Sequence, residues 1–447
     1  MSSESGQGLA DKTMGSSLKA LNWIAGSKIL DRLRIRSQFE RTVFQSTKHG
    51  MRAATSAGRT FRKASSLGKP ARQKKGSQSG LFDLNPTDEQ QMFIEAGQSF
   101  AAAKVRPAAS LADEEKSTPA GLLEQACELG IGTLGIPEEL DGVLGEQSAV
   151  TWTLIAEALA HGDMGIAYAA LAPGAFATAI GRWGDAEQQS TYLPAFTGEN
   201  PPAAALAILE PRPLFDPFLL ETTAVQNADG DWTLNGTKSL VARPGECELF
   251  LVAAAIGQAE NALFIVEAGT EGLQFEPEPA MGLRAASTGR LLLRNVSVPA
   301  GGLIGSDSDR SAIYSNCVAG SRVAWAAMST GTSQAVLDYV IPYVNERQAF
   351  GEPVSNRQSV AFQVSDIAIE TGGIRLVTQR AASRSDRREP FAREAALARR
   401  LAAAKGMEIG SAGVQLLGGH GYVKEHPVER WYRDLRAAGV MEGALLA

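Results

Sequence analysis

The feature that most constrains this 447-residue chain is a series of three long helical segments near its C-terminus. They cover residues 318–346, 357–385 and 392–417, and the connections between them are short. Helices of this length with short joints pack as an antiparallel bundle, because each helix buries its apolar stripe against a neighbour. A shorter segment, residues 427–438, completes a predicted four-helix bundle, and we assign residues 306–447 to this C-terminal domain.

A helical domain is predicted at residues 81–203. Thr87 followed by Gln90 has the pattern of a capping box, which begins a helix. Pro107 is expected to end that helix, because proline lacks the amide hydrogen that a helix interior needs.

The stretch between the two helical domains, residues 204–305, is rich in β-forming residues and is predicted to be a small central β-domain. Two strands are expected around the turn Asp229–Gly230, and a second turn is expected at Asn235–Gly236. The fold class is therefore α+β, with an N-terminal helical domain, a central small β-domain and a C-terminal four-helix bundle.

Residues 1–80 differ from the rest of the chain in charge. They hold 16 Lys or Arg against four acids, so they carry +12, and the remainder carries −18 to give the net −6. Residues 17–44 place apolar side chains at roughly helical spacing among basic ones, which is typical of a helix on an anionic membrane. A helix packed on the protein itself, or a disordered arm, remains open. Few aromatic residues accompany the charge, so no nucleic-acid partner is expected.

Metal and disulfide chemistry have no visible support in the sequence. The three cysteines, Cys127, Cys247 and Cys317, share no C-x-x-C spacing, and the four histidines show no H-E-x-x-H pattern. We therefore predict no metal site. The arm is Arg-rich, Ser-rich and acid-poor like a mitochondrial transit peptide. A cytoplasmic location, peripheral on the inner membrane face, and a mitochondrial matrix location are both open.

Several motifs in order resemble the acyl-CoA dehydrogenase family over about residues 82–443. The resemblance implies the fold class given above and an FAD-dependent enzyme. The motifs are LNPTDEQQMF at 84–93, ELGIGTLGIPEEL at 128–140, TAVQNADGDWTLNGTKSLV at 223–241, MGLRAASTGRLLLRNVSVPAGGLIG at 281–305, NERQAFG at 345–351, QLLGGHGY at 415–422 and RDLRAAGVMEG at 433–443.

The resemblance also implies the site residues. Glu442 would be the catalytic base, with Arg322 and Gly443 contacting the substrate. The residues implied to hold FAD, in part that of a neighbouring subunit, are Arg347, Phe350, Gln358, Gln415, Gly418 and Gly419.

The reaction implied is dehydrogenation of an acyl-CoA thioester to the trans-2-enoyl-CoA. Glu442 would remove the α-proton while hydride passes from the β-carbon to flavin N5. An electron-transfer flavoprotein would accept the electrons, and the enzyme would be a homo-oligomer, a dimer or tetramer.

The chain departs from the family pattern at positions that usually contact the flavin. LEPRPLFD at 209–216 stands where the family has Thr-Glu-Pro-Gly-x-Gly-Ser-Asp, residues 240–242 replace Trp-x-Thr, and Ala444 replaces a threonine. These departures keep one alternative open, a non-catalytic or cofactor-poor partner subunit of an acyl-CoA dehydrogenase-like complex. An acyl-CoA oxidase, which shares the architecture, and a membrane-tethered scaffold are further alternatives.

Overall fold

The computed structural model describes residues 82, 84–140, 142, 147–198, 200–257, 260–305 and 309–447. The predicted membrane-binding segment, residues 17–44, lies outside the described residues. Within them the predicted succession of a helical region, a β-domain and a helical bundle is confirmed.

The first helix, α1 (Asp88–Phe100), begins at the predicted capping box. The Thr87 hydroxyl accepts a hydrogen bond from the Gln90 amide, and the Gln90 side chain accepts one from the Thr87 amide. The prediction that Pro107 ends this helix is wrong. A π-helical turn, Ala101–Val105, continues into α2 (Arg106–Glu115), and the proline lies in the first turn of α2. Its missing amide hydrogen is tolerated there.

Four more helices complete the N-terminal region. One of them, Met164–Trp183, is long and apolar enough by composition to span a membrane. Most of its side chains are buried inside the protein, so it is a core helix. Asp163 caps this helix by accepting a hydrogen bond from the Ile166 amide. In chain order the four are α3 (Ala120–Glu128), α4 (Ala149–Gly162), α5 (Met164–Trp183) and α6 (Ala186–Thr197).

The β-domain holds one seven-stranded sheet. The strands are β1 (Ala204–Ala207), β2 (Thr223–Gln226), β3 (Trp232–Val241), β4 (Leu249–Ile256), β5 (Glu260–Glu267), β6 (Leu273–Pro277) and β7 (Gly289–Val298). Strands β1 and β2 both pair in parallel with β4, each with a different part of it, and β5 pairs with the other side of β4. Beyond β2 the sheet continues with β3, β7 and β6, each antiparallel to the strand before it.

The predicted turn at Asp229–Gly230 is confirmed, since β2 and β3 pair antiparallel on either side of it. The second predicted turn, Asn235–Gly236, is wrong. These two residues lie inside β3, where the pairing with β7 shifts register and forms a bulge. Gly236 has φ +155°, and a Cβ there would lie 2.5 Å from the Thr222 hydroxyl, so the position requires glycine.

The C-terminal region is the predicted bundle of long helices. The two-stranded hairpin β8 (Gln348–Ala349) and β9 (Glu352–Pro353) joins the first helix to the second. The predicted fourth segment is divided into two short helices. The helices are α7 (Arg310–Glu346), α8 (Gln358–Asp386), α9 (Ala392–Leu416), α10 (Val428–Asp434) and α11 (Ala437–Val440).

Candidate active site

Glu442 follows α11 and is buried, with 3% of its surface exposed. Its carboxylate is held by two arginines from different bundle helices. Arg322 of α7 places Nε 3.2 Å from Oε1 and 3.1 Å from Oε2, and its Nη2 lies 2.9 Å from Oε1. Arg399 of α9 places Nε 3.0 Å from Oε1. The structure therefore brings the predicted base and the predicted Arg322 together.

Arg399 is a site residue that the sequence interpretation missed. Besides its ion pair with Glu442, its Nη2 donates to the backbone oxygens of Gly439, at 3.2 Å, and Met441, at 3.4 Å. Burial lowers the pKa of Arg399 from its ordinary value, the charge of Glu442 opposes this, and Arg322 adds to it. Arg399 thus fixes both the carboxylate and the backbone that carries it.

Gly443, the next residue, is held through its carbonyl oxygen. That oxygen accepts hydrogen bonds from the Ser321 hydroxyl at 2.7 Å and from the Trp325 indole at 2.9 Å. Gly443 has φ +76°, and a Cβ there would lie 2.6 Å from the Cβ of Ile208. Glycine is therefore required for this close approach to the β-domain.

The last residues, Ala444–Ala447, are buried between the helical regions and the sheet. Ala444 forms a single antiparallel bridge with Leu206 of β1. Leu446 belongs to the same apolar cluster as Ile208, and Leu445 joins the cluster that contains Leu209 and Ala242. The segment that follows Glu442 is therefore packed into the apolar core.

A buried ion pair fixes the segment at residues 209–216. Lys238 of β3 is fully buried, and its Nζ lies 2.9 Å from Glu210 Oε1 and 3.2 Å from the Ile208 oxygen. Glu210 also accepts hydrogen bonds from the amides of Glu221 and Thr222, each at 2.8 Å. Burial lowers the pKa of Lys238 to about 8, while the charge of Glu210 opposes the shift.

The six residues predicted to hold FAD lie at one end of the bundle. Tyr343, one turn before the end of α7, places its hydroxyl 2.8 Å from His420 Nδ1 and 3.3 Å from the Leu417 oxygen, so the end of α7 meets the loop after α9. The predicted residues on the first side are Arg347, Phe350 and Gln358, and those on the second are Gln415, Gly418 and Gly419.

This end of the bundle is far from Glu442. Arg322, which binds Glu442, lies on α7, and Arg347 is the residue that follows the end of α7. At about 1.5 Å for each residue, the two are separated by about 37 Å along the helix axis. Phe350 is 96% exposed and has φ +55°, with Arg357 5.5 Å from its ring centre. The predicted base and the predicted dinucleotide residues therefore form two separate surfaces on one chain.

Three matches to known families cover the described regions in order. Residues 87–199 match the acyl-CoA dehydrogenase N-terminal domain, 205–296 the middle domain and 312–445 the C-terminal domain. The chain belongs to the acyl-CoA dehydrogenase family. Its members are flavin-dependent oxidoreductases, so this chain is assigned to that enzyme class with FAD as cofactor.

Individual relatives agree with this assignment. The mitochondrial short-chain specific acyl-CoA dehydrogenase of Bos taurus is 31% identical over 361 residues, which is 79% of this chain and 86% of the relative. Acryloyl-CoA reductase (NADH) of Anaerotignum propionicum is 29% identical, over 81% of this chain and 93% of the relative. Among solved structures, butyryl-CoA dehydrogenase of Megasphaera elsdenii is similar with a TM-score of 0.75 and 28% identity, over 81% of this chain and 96% of that chain.

The two ends of an FAD molecule meet different surfaces in this acyl-CoA dehydrogenase family member. At the loop after α9 the residues fit the phosphates, because Gly418 and Gly419 are exposed and a Cβ at either would meet no atom within 4 Å. Two positions at which the family usually contacts the flavin carry buried apolar side chains here. Leu209 and Ala242, at two of the departures from the family pattern, are packed into the core with Leu445.

Proposed function

We propose that the chain is an acyl-CoA dehydrogenase in which Glu442 removes the α-proton of the thioester and the product is the trans-2-enoyl-CoA. One observation carries the proposal: the carboxylate of Glu442 is buried and oriented by Arg322 and Arg399, within the part that matches the family's C-terminal domain. A buried, fixed carboxylate is what proton removal from a weak carbon acid needs.

The two oxygens of Glu442 differ in their surroundings. Oε1 accepts Arg322 Nε and Nη2 and lies against Arg399, whereas Oε2 accepts only Arg322 Nε among the described residues. A carboxylate oxygen has two lone pairs, so Oε2 retains capacity for a proton. We assign Oε2 as the oxygen that takes the α-proton. FAD, when bound, supplies hydride acceptance at N5.

The separation of the two surfaces supports the proposal that the protein is a homo-oligomer, either a dimer or a tetramer. A separation of about 37 Å between Arg322 and Arg347 is longer than an extended dinucleotide, so one chain would supply the base and a second chain the dinucleotide residues. An apolar stripe on α8 offers a surface for a second copy, since Phe362, Ile369 and Leu376 are all exposed at a spacing of seven.

The domain limits are also part of the proposal. We propose an N-terminal extension at 1–80, a helical domain at 81–203, a β-domain at 204–305 and a bundle at 306–447. The three family matches each lie inside one of the last three limits, which supports them.

Relatives support a substrate class and an acceptor. Two of the similar proteins are named as a short-chain specific acyl-CoA dehydrogenase and a butyryl-CoA dehydrogenase. We therefore propose a short acyl-CoA substrate. A structure 28% identical to this chain is titled as an electron transferring flavoprotein of Acidaminococcus fermentans, which supports such a flavoprotein as acceptor. A location in the cytoplasm or the mitochondrial matrix would serve this function.

The test uses the purified full-length chain. Its absorbance in the flavin band is recorded, and butyryl-CoA is added without oxygen. We expect bleaching of the bound flavin. Glu442→Gln should keep the yellow colour and lose the bleaching, whereas Glu408→Gln, at an exposed position on α9, should bleach normally. A Glu442→Gln protein that is bleached at the normal rate would exclude Glu442 as the base.

A second candidate function is the cofactor-poor partner subunit. The presence of the buried apolar residues Leu209 and Ala242, where the family usually contacts the flavin, favours it. A colourless protein that does not take up added FAD, but that forms a complex with a flavin-containing relative, would support this role. If the protein is yellow, the rate at which the reduced flavin is reoxidised in air distinguishes an oxidase from a dehydrogenase.

Peripheral membrane contact by residues 17–44 is a separate proposal. It rests on the positive charge and apolar spacing of that segment. Flotation with anionic vesicles compares the full chain with a chain that begins at Gly80. Equal binding by the two would dismiss the role of the segment.

A further inference from the structure

An open groove of about 520 Å³ lies beside Glu442 between α7 and α9. Its volume is in the range of small-molecule sites. The lining residues from α9 are spaced three or four apart, so they share one face of that helix. The groove is lined by Arg322, Ala396, Arg399, Arg400, Ala403 and Ala404.

The groove carries an excess of positive charge. Three guanidinium groups, those of Arg322, Arg399 and Arg400, border it, and the carboxylate of Glu442 compensates one of them. Arg399 Nε is buried and has no hydrogen-bond partner among the described residues, although Glu442 Oε1 lies 3.0 Å away. Arg400 forms no ion pair among the described residues, so its charge is the one left to attract an anion.

Half of the residues that line the groove are apolar. Ala396, Ala403 and Ala404 contribute only methyl groups, which leave space above the helix. A ligand that matches both parts has an anionic group for the arginines and a short apolar portion for the alanines. A small inorganic ion would use only the first part.

We propose that this groove binds a carboxylate or phosphate group carried on a short apolar chain. The bound anion accepts hydrogen bonds from Arg399 and Arg400 and competes with Glu442 for Arg399. Glu442 Oε1 then loses one of its partners, and Arg322 alone holds the carboxylate, so occupancy of the groove should slow proton removal. The binding does not depend on the function proposed above, whereas this effect on Glu442 does.

Calorimetric titration of the full-length protein, as purified and at fixed salt, tests the site. The probes are glutarate, butyrate, inorganic phosphate and pantetheine 4′-phosphate. Arg400→Gln removes an exposed groove arginine and should weaken binding by roughly 10-fold, since about 1.4 kcal/mol is a factor of ten and a charged hydrogen bond supplies about that much. Arg393→Gln is the matched control, because its side chain lies on α9, is 82% exposed and does not line the groove.

Two more variants distinguish the effect of the groove's charge on binding from the effect of its shape. Ala396→Leu keeps every charge but fills the groove, so it should weaken butyrate and pantetheine 4′-phosphate more than inorganic phosphate. Glu442→Gln removes the competitor for Arg399 and should tighten binding several-fold. A purely structural role of Glu442 would not move the affinity in that direction.

The probes also identify the source of the anion. Preference for the carboxylates indicates an acyl group with its own carboxylate, and preference for pantetheine 4′-phosphate indicates a thioester carrier. The proposal is overturned if no probe binds, or if Arg400→Gln and Arg393→Gln bind equally. If the probes bind but butyryl-CoA fails to bleach the flavin, the dehydrogenase function fails and the anion site stands.

Discussion

Replacing Lys238 by Met tests the buried ion pair that fixes the segment at 209–216. Methionine fills a similar space but leaves the Glu210 carboxylate, whose side chain is 2% exposed, without its closest cation. Breaking a buried pair from one side costs about 3–5 kcal/mol. Arg212 Nε, 3.8 Å from Glu210, compensates in part, so we expect about 3 kcal/mol. That is a large fraction of the roughly 5–15 kcal/mol by which a domain is stable.

The measurement is the urea midpoint and the melting temperature, followed by circular dichroism. The double variant Lys238→Met/Glu210→Gln should recover part of the loss. The amides of Glu221 and Thr222 donate to different oxygens of Glu210, so a glutamine keeps one of these two hydrogen bonds, and no charge is then left buried. The reasoning is refuted if Lys238→Met melts like the unchanged protein, or if the double variant is no more stable than the single one.

The pH dependence gives a second measurement on Lys238. Its pKa is lowered from 10.5 to about 8 in the folded protein. As the pH rises, the folded chain therefore releases this proton at a lower pH than the unfolded chain does. The contribution to stability is therefore lowest below pH 8 and rises as the pH increases to 10.5, by on the order of 3 kcal/mol. The difference in unfolding free energy between the unchanged protein and Lys238→Met should follow this rise. A flat difference from pH 7 to 10 would contradict it.

Three further predictions concern the core, the pH response and the dinucleotide end. Leu446→Ala should destabilise the protein by about 2–5 kcal/mol in urea unfolding, because the side chain is fully buried. Burial, together with the charge of Asp163, raises the pKa of Asp434 to about 7. The contribution of Asp434 to stability therefore falls as the pH rises from 4 to 7. Asp434→Asn should remove that fall, which is measured by melting curves at pH 5 and 7.5. Phe350→Ala should change stability by less than about 0.5 kcal/mol, because the ring is exposed, yet FAD should be lost more readily on gel filtration.

The order of the elements was predictable because helix and strand periodicities differ, and the two errors have local causes. Proline removes one hydrogen bond from a helix but does not always end it, and the π-helical turn before Pro107 lets the helical backbone continue past the proline. Asn235–Gly236 has the composition of a turn, but a bulge uses the same glycine freedom. The close approach of Thr222, which decides between them, is a tertiary contact.

The site was predictable only as far as motif spacing reached. Glu442 and Arg322 were found because each belongs to a recognisable segment, and the structure places them in contact. Arg399 carries no such signal. It reaches Glu442 because α9 packs against α11 and against the segment that follows α11, and that packing depends on side chains distributed along both regions. The burial of Leu445 in the core could not be foreseen for the same reason.

The site as a whole indicates which part of the chain has to yield if the flavin ring binds beside Glu442. The segment after Glu442 is held by the hydrogen bonds to the Gly443 oxygen, by the bridge to Leu206 and by the burial of Leu446. The segment after Leu209 is anchored at Glu210 and at Pro217, whose oxygen accepts a hydrogen bond from the Tyr314 hydroxyl at 2.6 Å, but Leu214 between these anchors is fully exposed. Local opening favours segments with few buried contacts. We therefore expect the residues around Leu214, and not the end of the chain, to move first, and we expect Lys238→Met to make that movement easier.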